Sequence, residues 1–299
     1  MLTKLSDLRA LAAKKPKKKL ALAAANDEQA LSAVIRASKD NIIEPILIGN
    51  KDIISCICDA NRWDITGIQI IHEPDKNLAA EVAVKMAGNK KADILMKGTV
   101  GTSTLLHAVL NKEWGLRTGR LLSHIALFEV ETYFKLIAIT DVAMNIAPKL
   151  HEKISIVNNS VECLNSLGIL KPKVAVLGAV EMVNENMQAT LDAALLSKMN
   201  QREQIINCII DGPLAFDNAI SYESAKQKGI TSEVAGDTDL LLIPDIEVGN
   251  VLYKSLVFFA KAKVASMILG ARVPIVLTSR SDSEEAKYDS IVLAVASSK

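Results

Sequence analysis

The sequence predicts an α/β fold divided between two units, and three observations carry that reading. Short β-branched runs alternate with stretches of helical periodicity along the chain. Hydrophobic residues make up 49% of the sequence and aromatics only 4%, so the cores must be built from Ala, Val, Ile and Leu, the usual material of parallel sheets covered by helices. At 299 residues the chain also exceeds the roughly 100–200 residues typical of one domain.

In order, the strand candidates are KKKLALAAA, EPILIGN, IQIIHEP, ADILMKG, HIALFEV and KLIAITD, then KVAVLGAV, IINCIIDGP, DLLLIPD and VPIVLTS. They are short, apolar and followed by Gly, Pro, Asp or Ser, as buried strands are. Between them, DEQALSAVIRASKD and DKNLAAEVAVKMAGNK carry apolar residues at helical spacing, with Asp27 and Asp75 as N-caps. LLHAVL is expected to be a helix after a hydroxyl-rich turn, and LYKSLVFFAKAKVASMIL a long helix opened by a turn near Gly249. No internal repeat and no Gly/Ser- or Pro-rich linker marks a division. The change of pattern near Asn145 to Pro148 assigns residues 1–146 with 281–299 to one α/β domain and 147–280 to the other.

Composition excludes several function classes. Lys and Arg number 35 against 34 Asp and Glu, a formal charge of +1, so there is no general footprint for nucleic acid and an anionic ligand must be held locally. The run Lys14 to Lys19 reads as a solvated approach to the first strand. The N-terminus lacks a secretory pattern and no apolar run reaches about 18 residues, which predicts a soluble, cytoplasmic protein without a membrane partner. Cys56, Cys58, Cys163 and Cys208 form no CxxC pair and are expected to be reduced. The four histidines show no HxxxH or HExxH spacing, so no metal site is expected.

Ligands of open α/β sheets bind beyond the carboxyl ends of strands, and polar clusters follow several strand candidates here. Lys97-Gly98-Thr99-Val100-Gly101-Thr102 could turn backbone N–H groups toward an anion, or could be a simple capped turn. Thr140-Asp141 with Asn145 brings a carboxylate and an amide to one strand end, and Asp211-Gly212-Pro213 with Asp217 reads equally as a tight turn. Glu247-Val248-Gly249-Asn250, with Lys254 in the first turn of the helix that follows, forms a further cluster. The sharpest is Thr278-Ser279-Arg280-Ser281-Asp282-Ser283-Glu284-Glu285. An N-cap with acidic first-turn residues accounts for Asp282 to Glu285, but it leaves Arg280, whose planar fork suits phosphate, without a purpose.

At these clusters the sequence resembles the phosphate acetyl/butyryl transferase family. The stretches that carry the resemblance are ADILMKGTVGTSTLLHAVLNKEWGLRTGRLLSHIALFEV, ITDVAMNIAPKLHEK, KPKVAVLGAVEMVNENMQAT, DGPLAFDNAIS, PDIEVGNVLYKSL and PIVLTSRSDSEEAK. The short form without added domains, with MKG, GLRTGRLLSH and LTSRSDS, is more similar to the butyryl than to the acetyl members. The resemblance implies two α/β domains of the isocitrate/isopropylmalate dehydrogenase-like type with an interdomain cleft, the second domain making a homodimer. It also implies exchange of coenzyme A and inorganic phosphate on an acyl group, acyl-CoA plus phosphate giving acyl phosphate plus CoA, with no metal and no permanently bound cofactor. Ser279 and Arg280 would then handle the phosphoryl group, while Lys254 and a lysine after the DGP segment, Lys228 in preference to Lys226, would line the substrate site. Lys97, Gly98, Thr102, Asp141, Asn145 and Asn250 complete the expected substrate-binding set.

One departure stands out. The acetyl members carry an aspartate about seven residues past the serine, proposed to take the thiol proton, and ungapped counting lands here on Ala286. Asp282 and Glu285 are the nearby carboxylates that could replace it. The shared fold type also leaves an NAD-dependent decarboxylating dehydrogenase as a more remote alternative. That chemistry would need a metal held by converging aspartates, whereas Asp211, Asp217 and Asp245 are scattered over turns.

Overall fold

The computed structural model describes residues 2–279 and 282–298. Along the first stretch run α1 (Leu5–Ala12), β1 (Lys18–Ala23), α2 (Glu28–Lys39), β2 (Ile43–Gly49), α3 (Lys51–Ala60), β3 (Gln69–His72), α4 (Lys76–Gly88), β4 (Ile94–Lys97) and α5 (Thr102–Val109). The middle of the chain gives β5 (Ser123–Glu129), β6 (Ile137–Thr140), α6 (Leu150–Ser166), β7 (Lys173–Leu177), α7 (Gln188–Gln201) and β8 (Ile209–Leu214). It continues through α8 (Phe216–Ile220), α9 (Tyr222–Gln227), β9 (Leu240–Leu242), α10 (Ile246–Phe258) and β10 (Lys263–Leu269). A short β11 (Ile275–Val276) and α11 (Glu284–Ser297) follow.

Two compact units emerge, each assembled from separate parts of the chain. One comprises Met1–Asp7 with Leu121–Val264 and the other Leu8–Arg120 with Ala265–Lys299. The division therefore falls at Arg120/Leu121 and Val264/Ala265, not near Asn145 to Pro148. The ladder explains the difference. Strand β5 pairs antiparallel with β6, Ala126 opposite Ile139, and β6 runs parallel to β9, so residues 121–140 are tied to the later strands.

In the Leu8–Arg120 unit the strand order is β3-β2-β1-β4-β11-β10. All neighbours are parallel except β10 and β11. The chain passes outward from β1 to β2 and β3, then returns to the other side of β1 with β4. That reversal puts a topological switch point between β1 and β4. It also puts the crossover helices on opposite faces. Helix α2 packs against α11 on one face, and α4 packs against β1, β2 and α5 on the other. Strands covered on both faces must be apolar throughout, and Leu20–Ala23, Ile46–Ile48 and Ile94–Met96 are all buried. The caps anticipated from sequence form: Asp27 accepts from Ala30 N at 2.7 Å, and Asp75 from Asn77 N at 2.7 Å and Leu78 N at 3.0 Å.

The other unit has the order β5-β6-β9-β7-β8, with β6, β9, β7 and β8 mutually parallel. Their carboxyl ends deliver Asp141, Asp245, Gly178 and Ala215 to one edge. Three local readings need correction here. Helix α10 begins at Ile246 with Asp245 as its cap, so Gly249 is helical and Lys254 lies past the middle of the helix, not in its first turn. The helix ends at Phe258, and KVASMIL forms the buried strand β10. The segment Asp211-Gly212-Pro213 lies within β8 and is no tight turn.

Candidate active site

In the Leu8–Arg120 unit the switch point gathers three strand ends. Ala23 at the end of β1 pairs with Lys97 at the end of β4, and Val276 of β11 pairs with Met96. The residues that follow, Ala24 to Asp27, Gly98 to Gly101 and Leu277 to Ser279, therefore share one edge, which is also where α2, α5 and α11 begin. Helix α5 starts at Thr102 with Gly101 as N-cap and no side-chain cap bond, so the positive end of its dipole is not answered by its own cap.

Gly98 is fixed by the backbone that faces it. Its N–H donates to Ala23 O at 2.8 Å and that of Thr99 to Ala24 O at 3.0 Å. A Cβ at position 98 would lie 2.2 Å from Ala24 O, and backbone cannot step aside as a flexible side chain could. Gly98→Ala is therefore expected to force the two strand ends apart at about 1–3 kcal/mol. Thermal unfolding should show a fall of several degrees, and an unchanged melting temperature would refute the close approach.

The ends of β4 and β11 also bring charge together. Lys97 is buried, its Nζ donating to Gly98 O at 3.2 Å. Asp282 receives the Ser279 N–H at 2.6 Å. Burial pushes the Asp282 carboxyl above its ordinary range, opposed by that N–H and by the charges of Lys287 and Lys97. A carboxylate of raised basicity beside donors suits a proton acceptor. Lys287, which the sequence reading did not single out, is itself buried. Its Nζ donates to Asp282 O at 2.6 Å, and to Ser279 O and Gln29 Oε1 at 3.2 Å each. Arg280 lies outside the described residues.

Glu285 belongs to a different cluster. Arg9 from α1 and Arg36 from α2 both bond its carboxylate, and Arg36 also lies 3.9 Å over the Tyr288 ring. The hydrogen bond from Arg36 holds the Glu285 carboxyl below its ordinary value, helped by Arg9 against partial burial. Its folded value being lowered, the stability it contributes is present above the ordinary value of about 4.3 and is lost as pH falls through the lowered one. Glu285→Gln should accordingly lower the melting temperature by a few degrees at neutral pH, less so in acid, and leave turnover nearly intact. A large loss of turnover at unchanged stability would return Glu285 to the candidates for base.

The remaining site residues lie in the other unit. Asp141, buried, accepts from Ala143 N at 2.9 Å, Met144 N at 3.0 Å and Asn145 Nδ2 at 2.6 Å. Asn145 Nδ2 also donates to Leu122 O at 2.9 Å. Against this strand end presses α10, where a Cβ on Gly249 would lie 2.9 Å from Asp141 O. Tyr253, one turn on, packs edge-to-face with its ring centre 6.3 Å from that of His124 and 5.3 Å from that of Phe128. His124 is buried with Nδ1 lacking a hydrogen-bond partner, and burial depresses its basicity against the pull of Asp141. Asn250 and the exposed Lys254 sit i, i+4 on α10 and so share a helix face. Lys228 caps α9 and pairs with Glu181 at 3.2 Å and Asp217 at 3.6 Å. That places it with the ends of β7 and β8 and not with Asp141.

Among the described residues no group of three or more His, Cys, Asp or Glu side chains is arranged to hold a metal ion. All four cysteines are free, and burial raises the thiols of Cys163 and Cys208 to about 12 and about 11. No helix of the described residues is long and apolar enough to cross a membrane.

The pattern of the family described as "Phosphate acetyl/butaryl transferase" matches residues 6–81 and 71–295. The chain is 50% identical over 280 residues to the phosphate butyryltransferase of Clostridium acetobutylicum, spanning 94% of this chain and 93% of that protein. It is 47% identical over 277 residues to the phosphate acetyltransferase of Thermotoga maritima, spanning 93% and 94%. Of solved structures, a branched-chain phosphotransacylase from Enterococcus faecalis V583 is similar with a TM-score of 0.83 at 34% identity, over 94% of this chain and 98% of that one.

Proposed function

The chain belongs to the phosphate acetyl/butaryl transferase family, and from that premise we propose that it transfers a short acyl group, butyryl in preference to acetyl, between coenzyme A and inorganic phosphate. The observation that carries the reading is Asp282. A carboxylate of raised basicity stands beside Ser279, with two buried ammonium groups in range, at the switch point of a parallel sheet.

A thiol with a pKa near 8.5 is mostly protonated at neutral pH, so its attack on an acyl phosphate benefits from a positioned acceptor. Asp282 takes that proton in one direction and returns it in the other. The tetrahedral centre develops an oxyanion beside a phosphate leaving group, and Arg280, Ser279 and Lys97 supply donors for both. The first-turn amides of α5, with Gly98 and Thr102 beside them, give the phosphate or CoA oxygens a further positive end. Lys254, Asn250, Asp141, Asn145 and Lys228, all in the other unit, are the further substrate-binding residues of this reading. Direct transfer is favoured over an acyl-cysteine, because Cys58, Cys163 and Cys208 are buried thiols of raised pKa and the exposed Cys56 lies in the middle of α3, away from the strand ends. The reaction needs neither a metal nor a resident cofactor.

We place the enzyme in the cytoplasm, where CoA esters and reduced cysteines coexist, as a homodimer. The exposed apolar stripe of Val248, Val251, Phe258 and Phe259 along α10 supports the second point, since such a face is seldom left to water.

The test is release of CoA thiol from butyryl-CoA, acetyl-CoA and branched acyl-CoAs on addition of phosphate, with neither metal nor NAD supplied. Phosphate-dependent release with the highest kcat/KM for butyryl-CoA is expected. A preference for acetyl-CoA, the reading that the Thermotoga maritima likeness favours, would change the acyl assignment, and no phosphate-dependent release would overturn the function.

A further inference from the structure

We propose that Lys287 is a positioning residue for acyl transfer, its ammonium holding the backbones of Ser279 and Asp282 together against α2. This rests on the reading of Asp282 as proton acceptor and goes beyond it, because the resemblance, whose stretch PIVLTSRSDSEEAK ends on Lys287, assigns that residue no role.

Helix α11 is buried at every position from Lys287 to Ala296, and a charged group in such a run is costly unless something is gained by it. An ammonium has three N–H donors, and here each has a partner: Asp282 O at 2.6 Å, Ser279 O at 3.2 Å and Gln29 Oε1 at 3.2 Å. None of these partners is a carboxylate. The charge is balanced at longer range by Asp282 and by Asp27, the N-cap of α2, which oppose the lowering of the Lys287 pKa by burial. Ser279 O also accepts from Asp282 N at 3.2 Å, and Ser279 N donates to Asp282 Oδ2 at 2.6 Å. The lysine therefore braces a compact set of bonds that aims the carboxylate. Among the described residues, the charged groups in range of Asp282 are Lys287 from α11 and Lys97 from β4, and those in range of Lys287 are Asp282 and Asp27.

Two effects follow from replacing the ammonium. The carbonyls of Ser279 and Asp282 lose their shared donor, so the carboxylate wanders from its working position, and misplacement by about 1 Å costs up to roughly 100-fold. The positive charge that favours ionised Asp282 also disappears, so the pKa of Asp282 rises.

The test compares wild-type protein, Lys287→Met, Lys287→Gln and Lys287→Arg in the phosphate-dependent butyryl-CoA assay across pH. In both uncharged variants kcat should fall about 10–100-fold with the KM for phosphate little changed. The acidic limb of the pH–rate profile should move to higher pH by on the order of one unit. Lys287→Arg should keep the limb near its wild-type position and recover part of kcat. Normal kcat with an unmoved limb in the uncharged variants would overturn the proposal. So would a loss of activity that tracks melting temperature while the limb stays in place, because that is the signature of a merely structural lysine. Should Lys287→Met not fold, Lys287→Gln with an unmoved limb overturns the proposal equally. A wild-type protein without phosphate-dependent activity would instead remove the function itself, and this inference with it.

Discussion

Arg280→Lys should lower the rate of acyl transfer by well over tenfold, a loss of more than about 1.4 kcal/mol in the transition state. The two side chains carry the same charge, so the expected loss isolates geometry. A guanidinium presents parallel N–H donors in a planar fork that matches two phosphate oxygens at once, whereas an ammonium is a compact point charge that satisfies one direction at a time. Arg280→Gln, which lacks the charge as well, should be slower still. Steady-state kinetics with phosphate varied are the measurement, and melting temperature in the absence of ligand is the control. Near-normal phosphate kinetics in Arg280→Lys would remove the residue from the chemistry and leave the phosphate to Ser279, Lys97 and the amides at the start of α5.

The second large effect belongs to Asp282. Asp282→Asn keeps an oxygen for the Ser279 N–H but cannot take a proton, and a positioned general base contributes about 10²–10⁴-fold. The pH dependence gives a sharper reading than the rate alone. Because burial raises the Asp282 pKa, thiol attack in the wild type should weaken in acid at a pH above the aspartate reference of about 3.9. The sign follows from the chemistry: the base works ionised, so activity is lost as pH falls through the raised value. The Asn variant should be slow at every pH and lack that limb. If its profile kept the wild-type limb, the titrating group would have to be sought elsewhere, and normal turnover across pH 6–9, which brackets the thiol reference value, would reject Asp282 altogether.

What the sequence made legible, and what it hid, follows from the kind of signal each element carries. Runs such as ADILM and KLIAI announce strands because strands buried on both faces must be apolar at every position, and Asp27 and Asp75 announce helices because orphan amides need acceptors. Strand β10 was hidden because KVASMIL follows LYKSLVFFAK with no Pro or Gly between them, and Ala, Lys, Met and Leu continue a helical pattern without offence. Gly249 misled in the other direction. It reads as a turn, yet it sits inside α10 because the backbone at Asp141 leaves no room for a Cβ. Ser279 and Asp282 stood out as polar residues just past an apolar strand. Lys287 did not, since a lysine on a helix reads as solvated until the partners of its Nζ are known, and two of those are carbonyls that carry no trace in the sequence. The chain's division was equally hidden, because Arg120/Leu121 falls in an unremarkable polar stretch and only the β5–β6 ladder reveals the side to which residues 121–140 belong.

The short strand β11 lies between β4 and β10, and this has a bearing on biosynthesis. On the ribosome, residues 8–120 emerge with the outer edge of β4 still unpaired, an open template for association with other chains. The next stretch, 121–264, has a sheet of its own to form while that edge waits. Only when residues past Ile275 appear does β11 cover β4, and the same stretch brings Ser279, Asp282 and Lys287. Closing the sticky edge and bringing in the proposed catalytic residues thus depend on one and the same late stretch of chain.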